Sequence, residues 1–140
     1  MSKKIVATNG CFDVLHVGHL RYLVASKKLG DVLIIGLNSD SSVKQLKGES
    51  RPINNQEDRK EMLLGLEAVD EVIIFDEIDA CEFLKKVKPD IYTKGGDYSL
   101  EEIKNWPEYK TALELGCKIE LIDFVDGKSS TKIIETLGKN

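Results

Sequence analysis

Apolar residues fall along this chain in short bursts, separated by segments in which they recur every three or four positions. Residues 4–8 form the first burst and predict a buried strand. Residues 32–37 are a continuous apolar run between turn residues, the pattern of a central strand covered on both faces. Residues 72–75, 91–94 and 118–122 repeat that pattern. Between the bursts the spacing turns helical. Residues 18–29 carry Leu20, Leu23 and Val24 on related turns, and Gly30-Asp31 stops them. Asn38-Ser39-Asp40-Ser41 offers capping side chains for a short helix reaching Leu46. Further helices are expected over 56–68, 80–87 (ended by Pro89), 109–115 and 130–137. Residues 9–13 and 48–55 break both periods and predict loops.

Strands alternating with helices predict parallel pairing and right-handed crossovers. The expected fold is a single α/β domain over residues 1–140, a doubly wound, Rossmann-like three-layer sandwich with a five-stranded parallel sheet. Such sheets take ligands at the carboxyl ends of their strands, where the strand order switches. That rule gathers the segments 9–19, 38–41 and 94–97.

The chain has 140 residues, 41% hydrophobic and 31% charged, enough for one domain with a proper core. Its net charge of −4 argues against a dedicated nucleic-acid binder. The apolar runs are too short to cross a bilayer. Cys11, Cys81 and Cys117 are widely spaced and form no zinc-ligand pattern. An odd number of cysteines without a leader-like segment predicts free thiols and a cytoplasmic location.

Both histidines lie in one cluster, His16-Val17-Gly18-His19, where a strand should hand over to a helix. Imidazole donates hydrogen bonds to phosphate, and a helix amino end attracts the same anion. The pair therefore points to a nucleotide or another polyphosphate. Other residues admit two readings each. Lys44 and Lys47 share a helix face, as phosphate cations or as a solvated surface. Arg51 sits in an exposed loop, able to close over a site or simply to face solvent. Arg59 either meets phosphate or pairs with Glu61 or another acid. Asp13 either orients a sugar phosphate or caps a helix amide. Lys94-Gly95-Gly96-Asp97 is a nucleotide-contacting strand end or a plain turn. Ser129-Ser130-Thr131 opens the last helix and caps it with or without a phosphate. Cys11 is read as a packed thiol, and Trp106 and Tyr109 as lid, dimer or packing residues.

The stretch Asn9-Gly10-Cys11-Phe12-Asp13-Val14-Leu15-His16-Val17-Gly18-His19 resembles the signature of the HxGH nucleotidyltransferases, which include the cytidylyltransferases. The match continues through Asn38-Ser39-Asp40, Lys44, Lys47, Arg51-Pro52, Glu57-x-Arg59, Lys94-Gly95-Gly96-Asp97-Tyr98 and Ser129-Ser130-Thr131. The phrases Leu46-Lys47-Gly48-Glu49-Ser50-Arg51-Pro52 and Lys94-Gly95-Gly96-Asp97-Tyr98 are similar to the adenylyltransferase domain of ADP-heptose synthases. Glycerol-3-phosphate cytidylyltransferases carry an arginine before the terminal Ser/Thr motif, and residues 123–128 here contain none.

The resemblance implies an enzyme that joins ATP to a sugar 1-phosphate and releases pyrophosphate. It implies catalytic roles for His16, His19 and Lys47. Nucleotide contacts fall to Gly10, Cys11, Phe12, Gly18, Arg59, Gly95, Asp97, Ser129, Ser130 and Thr131, and acceptor contacts to Asp13, Lys44, Arg51 and Lys94. It further implies a homodimer, and a Mg²⁺ ion that arrives with the triphosphate rather than in a protein cage. The alternatives are a glycerol-3-phosphate cytidylyltransferase, an adenylyltransferase of the FMN type, and a nucleotide-binding module without catalysis.

Overall fold

The computed structural model describes residues 3–95 and 100–122. Its strands are β1 (Ile5–Gly10), β2 (Val32–Asn38), β3 (Glu71–Phe75), β4 (Ile91–Gly95) and β5 (Lys118–Ile122). They form one all-parallel sheet in the order β3-β2-β1-β4-β5. The first three strands build outward from the centre. The chain then crosses back and places β4 on the other side of β1, so the switch in order lies between β1 and β4. The helices are α1 (Val17–Lys27), α2 (Asp40–Lys47), α3 (Gln56–Leu64), α4 (Cys81–Val87), α5 (Leu100–Ile103) and α6 (Pro107–Leu115).

Alternation along the central strands explains their unbroken apolar character. Val6, Leu33, Ile35 and Leu37 point to one core with Tyr22 and Leu23 of α1 and Leu63 of α3. Ala7, Ile34 and Tyr92 point to a second core with Phe83 and Leu84 of α4 and Ala112 of α6. Both faces of the sheet are therefore covered, giving the expected three layers. Each fully buried leucine or isoleucine contributes about 1.5–3 kcal/mol before chain entropy is counted. Gly36 serves the second core in a different way. A Cβ there would come within 2.8 Å of the Phe83 ring, so the missing side chain lets α4 sit against β2.

Several boundaries differ from expectation. β1 runs on through Asn9 and Gly10, which pair with Gly36 and Leu37, so the loop after it starts at Cys11. The ladder to β2 outweighs the loop-favouring residue types. α3 stops at Leu64 rather than at residue 68 because Gly65 caps it, and two tight turns then carry Val69 into the core. α6 begins at Pro107, at the first helical position, where the missing N–H costs nothing. The single turn α5 is too short to leave a period in the sequence. The helix expected at 130–137 lies outside the described residues. No described helix is long and apolar enough to cross a membrane.

Candidate active site

The carboxyl ends of β1, β2 and β4 open into a cleft of about 630 Å³. Residues Asn9 to Val14 form one wall, and His16, His19 and Tyr22 come from α1. Asn38 closes the end of β2, Leu46 and Lys47 come from α2, and Arg51 and Ile53 come from the strap before α3. Ile78 follows β3, and Lys94 and Gly95 end β4.

The histidines build the amino end of α1 themselves. His16 is the N-cap residue, and its Nδ1 accepts the Gly18 N–H at 3.0 Å. Nδ1 of His19 accepts the His16 N–H at 3.2 Å, completing a reciprocal capping box made of two imidazoles. A nitrogen that accepts carries no proton, so each neutral ring bears its proton on Nε2. The rings stand 4.0 Å apart between centroids. Burial, followed by the charge of His16, pulls the His19 pKa below its usual value. At neutral pH His19 is thus a neutral Nε2–H donor.

The loop behind them is strained. Phe12 is buried and has φ of 45°, a left-handed conformation that costs a non-glycine residue about 1 kcal/mol or more. Its ring packs edge-on to His19 at 5.7 Å and lies over Gly10, where a Cβ would sit 2.9 Å from it. Gly10 is required because Phe12 occupies the space of its side chain.

Cations line the cleft from three elements. The Lys94 ammonium is 3.5 Å from Asn9 Oδ1 and 5.6 Å from the Trp106 ring centre. Burial lowers its pKa, opposed by Glu108 and Cys11. The Tyr92 hydroxyl also donates to Asn9 Oδ1. The Cys11 thiol is pushed up by burial, against the pull of Lys47 and Arg59, which favours its protonated form.

Two charged residues act within the loops. Asp13 is tied to the strap: its carboxylate accepts from Arg51 Nη1 at 2.8 Å and from the N–H groups of Ile53 and Asn54. Burial alone would raise its pKa, and these donors more than offset that and hold it below the ordinary carboxylate value. Arg59, only 1% exposed, donates to the carbonyls of Asn54, Cys11 and Asn38 and to Asp40 Oδ1, each at 2.8–2.9 Å. It pairs with Asp40 rather than Glu61.

The cleft therefore gathers Gly10, Cys11, Phe12, Asp13, His16, His19, Lys47, Arg51, Lys94 and Gly95. Gly18, Lys44 and Arg59 are placed outside its walls. The Gly18 N–H is spent on the His16 cap, Lys44 lies one turn back on α2, and Arg59 braces the floor from behind. Asp97, Ser129, Ser130 and Thr131 lie outside the described residues. Tyr22 was not foreseen, and Asn9 and Asn38 were given no role of their own. The strand-end rule already pointed to the two asparagines, which stand at the carboxyl ends of β1 and β2. Trp106 and Tyr109 pack against the first core. Among the described residues no group of three or more His, Cys, Asp or Glu is placed to hold a metal ion.

The fold is of the doubly wound α/β class, with its cleft at the switch point of the sheet. A model of cytidylyltransferase-like proteins matches residues 7–136, and the chain belongs to that family. Over 135 residues, 96% of its length, the chain is 54% identical to the bifunctional protein HldE of a Nitratiruptor species. Over 140 residues, 100% of its length, it is 51% identical to the bifunctional protein HldE of Aliarcobacter butzleri. It spans 28% of the length of each of these relatives. Among solved structures, the lipopolysaccharide core biosynthesis protein of Thermoplasma volcanium superposes with a TM-score of 0.71 at 33% identity, covering 87% of this chain and 96% of that one. A protein of unknown function from Archaeoglobus fulgidus shares the fold, with a TM-score of 0.54 at 20% identity, covering 86% of this chain and 99% of that one.

Proposed function

We propose that the chain transfers AMP from ATP to a sugar 1-phosphate, specifically a heptose 1-phosphate, with release of pyrophosphate. The observation that carries this reading is the imidazole capping box, which brings both histidine rings into the wall of the cleft where the sheet order switches. The acceptor phosphate is already an anion, so no activated nucleophile is required. An oxygen of that phosphate attacks the α-phosphorus of ATP in line. The bond to the bridging oxygen breaks, and pyrophosphate leaves without a covalent enzyme intermediate. What the protein supplies is alignment of two repelling anions and stabilisation of charge on the α-phosphate and the leaving group. His16 and His19 donate to those oxygens, and Lys47 neutralises them from α2. Magnesium, when bound, would neutralise the triphosphate. The carboxylate of Asp13 is already engaged by the strap, so the ion would be held through phosphate oxygens.

The heptose acceptor is supported by the HldE relatives, by the lipopolysaccharide core biosynthesis protein among the structural neighbours, and by the motif phrases around Lys47 and Lys94. The test mixes purified protein, ATP, Mg²⁺ and D-glycero-D-manno-heptose 1-phosphate and follows pyrophosphate. Replacing either histidine by alanine should lower the rate by at least about 10²-fold, the scale of one lost transition-state donor. Turnover of CTP with glycerol 3-phosphate, and none with any heptose phosphate, would replace this reading.

A further inference from the structure

The Asp13 side chain is 6% exposed. Its Oδ2 accepts from Arg51 Nη1 and from the Ile53 N–H, both at 2.8 Å. Its Oδ1 accepts the Asn54 N–H at 2.9 Å and shares the Ile53 N–H at 3.0 Å. The Asn54 side chain returns a bond to the Asp13 carbonyl at 2.6 Å. Every one of these partners lies on the strap 51–54, about forty residues further along the chain. A carboxylate with its oxygens so engaged has little left for a ligand, and its charge would repel a phosphate.

The strap, in contrast, reaches the cleft. Arg51 and Ile53 both line it, and the Arg51 side chain is 41% exposed. One nitrogen of the guanidinium fork is held by Asp13, which leaves the other N–H groups for a second anion. An arginine already held in place loses less rotamer freedom when phosphate arrives, an advantage of roughly tenfold in affinity.

We propose that Asp13 is a positioning residue: it fastens the strap beside the histidine cap so that Arg51 presents its fork to a substrate phosphate. The anion partner rests on the proposed function above. The fastening itself does not, and the test separates the two.

Amide exchange at Ile53 and Asn54, and equilibrium binding of MgATP and of a sugar 1-phosphate, are measured for the unmodified chain, Asp13→Asn, Arg51→Ala and the double variant. None of these readouts needs turnover. Asp13→Asn should speed exchange at both amides by about tenfold or more while the β1 amides stay protected. Each single variant should weaken the same one of the two ligands by about tenfold, and the double variant no further, because the two residues act as a unit. Losses that multiply to about a hundredfold would mean that Asp13 meets the ligand itself and would overturn the proposal. So would unchanged exchange, or unchanged binding in both variants. If Asp13→Asn does not fold, Asn54→Ala cuts only the side-chain bond to the Asp13 carbonyl. It should loosen the same two amides, and protection at the original level would count against the fastening.

Discussion

Replacing Arg59 separates a brace from a phosphate ligand. The side chain is 1% exposed and joins four segments: the loop after β1 through the Cys11 carbonyl, the end of β2 through Asn38, the strap through Asn54, and the first turn of α2 through Asp40. Arg59→Met keeps the length of the stem and removes all four bonds. The Asp40 side chain is 37% exposed and regains water, so little of the loss comes from its charge. The carbonyl of Asn38 is buried with its residue, and those of Cys11 and Asn54 face the space the guanidinium vacates. Of the three carbonyls only that of Asn38 is fully buried; leaving it unpaired costs about 1–3 kcal/mol, and with the two partly buried ones the expected total is about 2–4 kcal/mol. For a domain of this size that lowers the melting temperature by roughly 8–16 °C. The assay is denaturant and thermal unfolding in the absence of nucleotide. Arg59→Lys should recover less than half of the loss, since one ammonium cannot bond in four directions. A loss below about 1 kcal/mol without nucleotide, together with a tenfold weaker affinity for ATP, would refute the brace and make Arg59 a triphosphate contact.

Acid should loosen the amino end of α1. His19 has its pKa lowered by burial and then by His16, so the unfolded chain takes up that proton first. The stability contributed by neutral His19 is complete above pH about 6.5 and is lost as pH falls from there through the lower folded value. His19→Asn should flatten that part of a stability-against-pH profile, and an unchanged profile would contradict the capping role of Nδ1. Gly36→Ala should cost about 1–3 kcal/mol in denaturant unfolding because its methyl meets the Phe83 ring at 2.8 Å; a neutral result would show that α4 moves freely. Cys11→Ala should retain the rate of pyrophosphate release within about threefold, since burial favours the protonated thiol and the reaction calls for no covalent intermediate. A loss of about 10²-fold would place the sulfur in the chemistry.

Much of the architecture was legible along the chain because both faces of the central strands are covered. A strand such as β2, with Leu33, Ile35 and Leu37 on one side and Ile34 on the other, can hardly be anything but apolar throughout. The histidine cluster was legible for a related reason: local sequence puts both rings within one turn, so no distant contact is needed to bring them together. The roles of Asp13 and Arg59 were not legible. Each binds groups between 5 and 48 residues away, and most of those are backbone atoms that carry no sequence signature. An arginine near a polyphosphate motif looks the same in one dimension whether it faces the cleft or lies beneath it.

Taken as a string of residues, this chain already specified its alternating elements, its three layers and the placement of an imidazole pair at a helix start. All three depend on near neighbours and on a repeating period. Folding in three dimensions decided which charges face the cleft and which are consumed in holding it open. That choice follows from desolvation and from long-range hydrogen bonding: Lys47 and Arg51 reach the cleft, Lys44 stays outside its walls, and Arg59 is sealed beneath it.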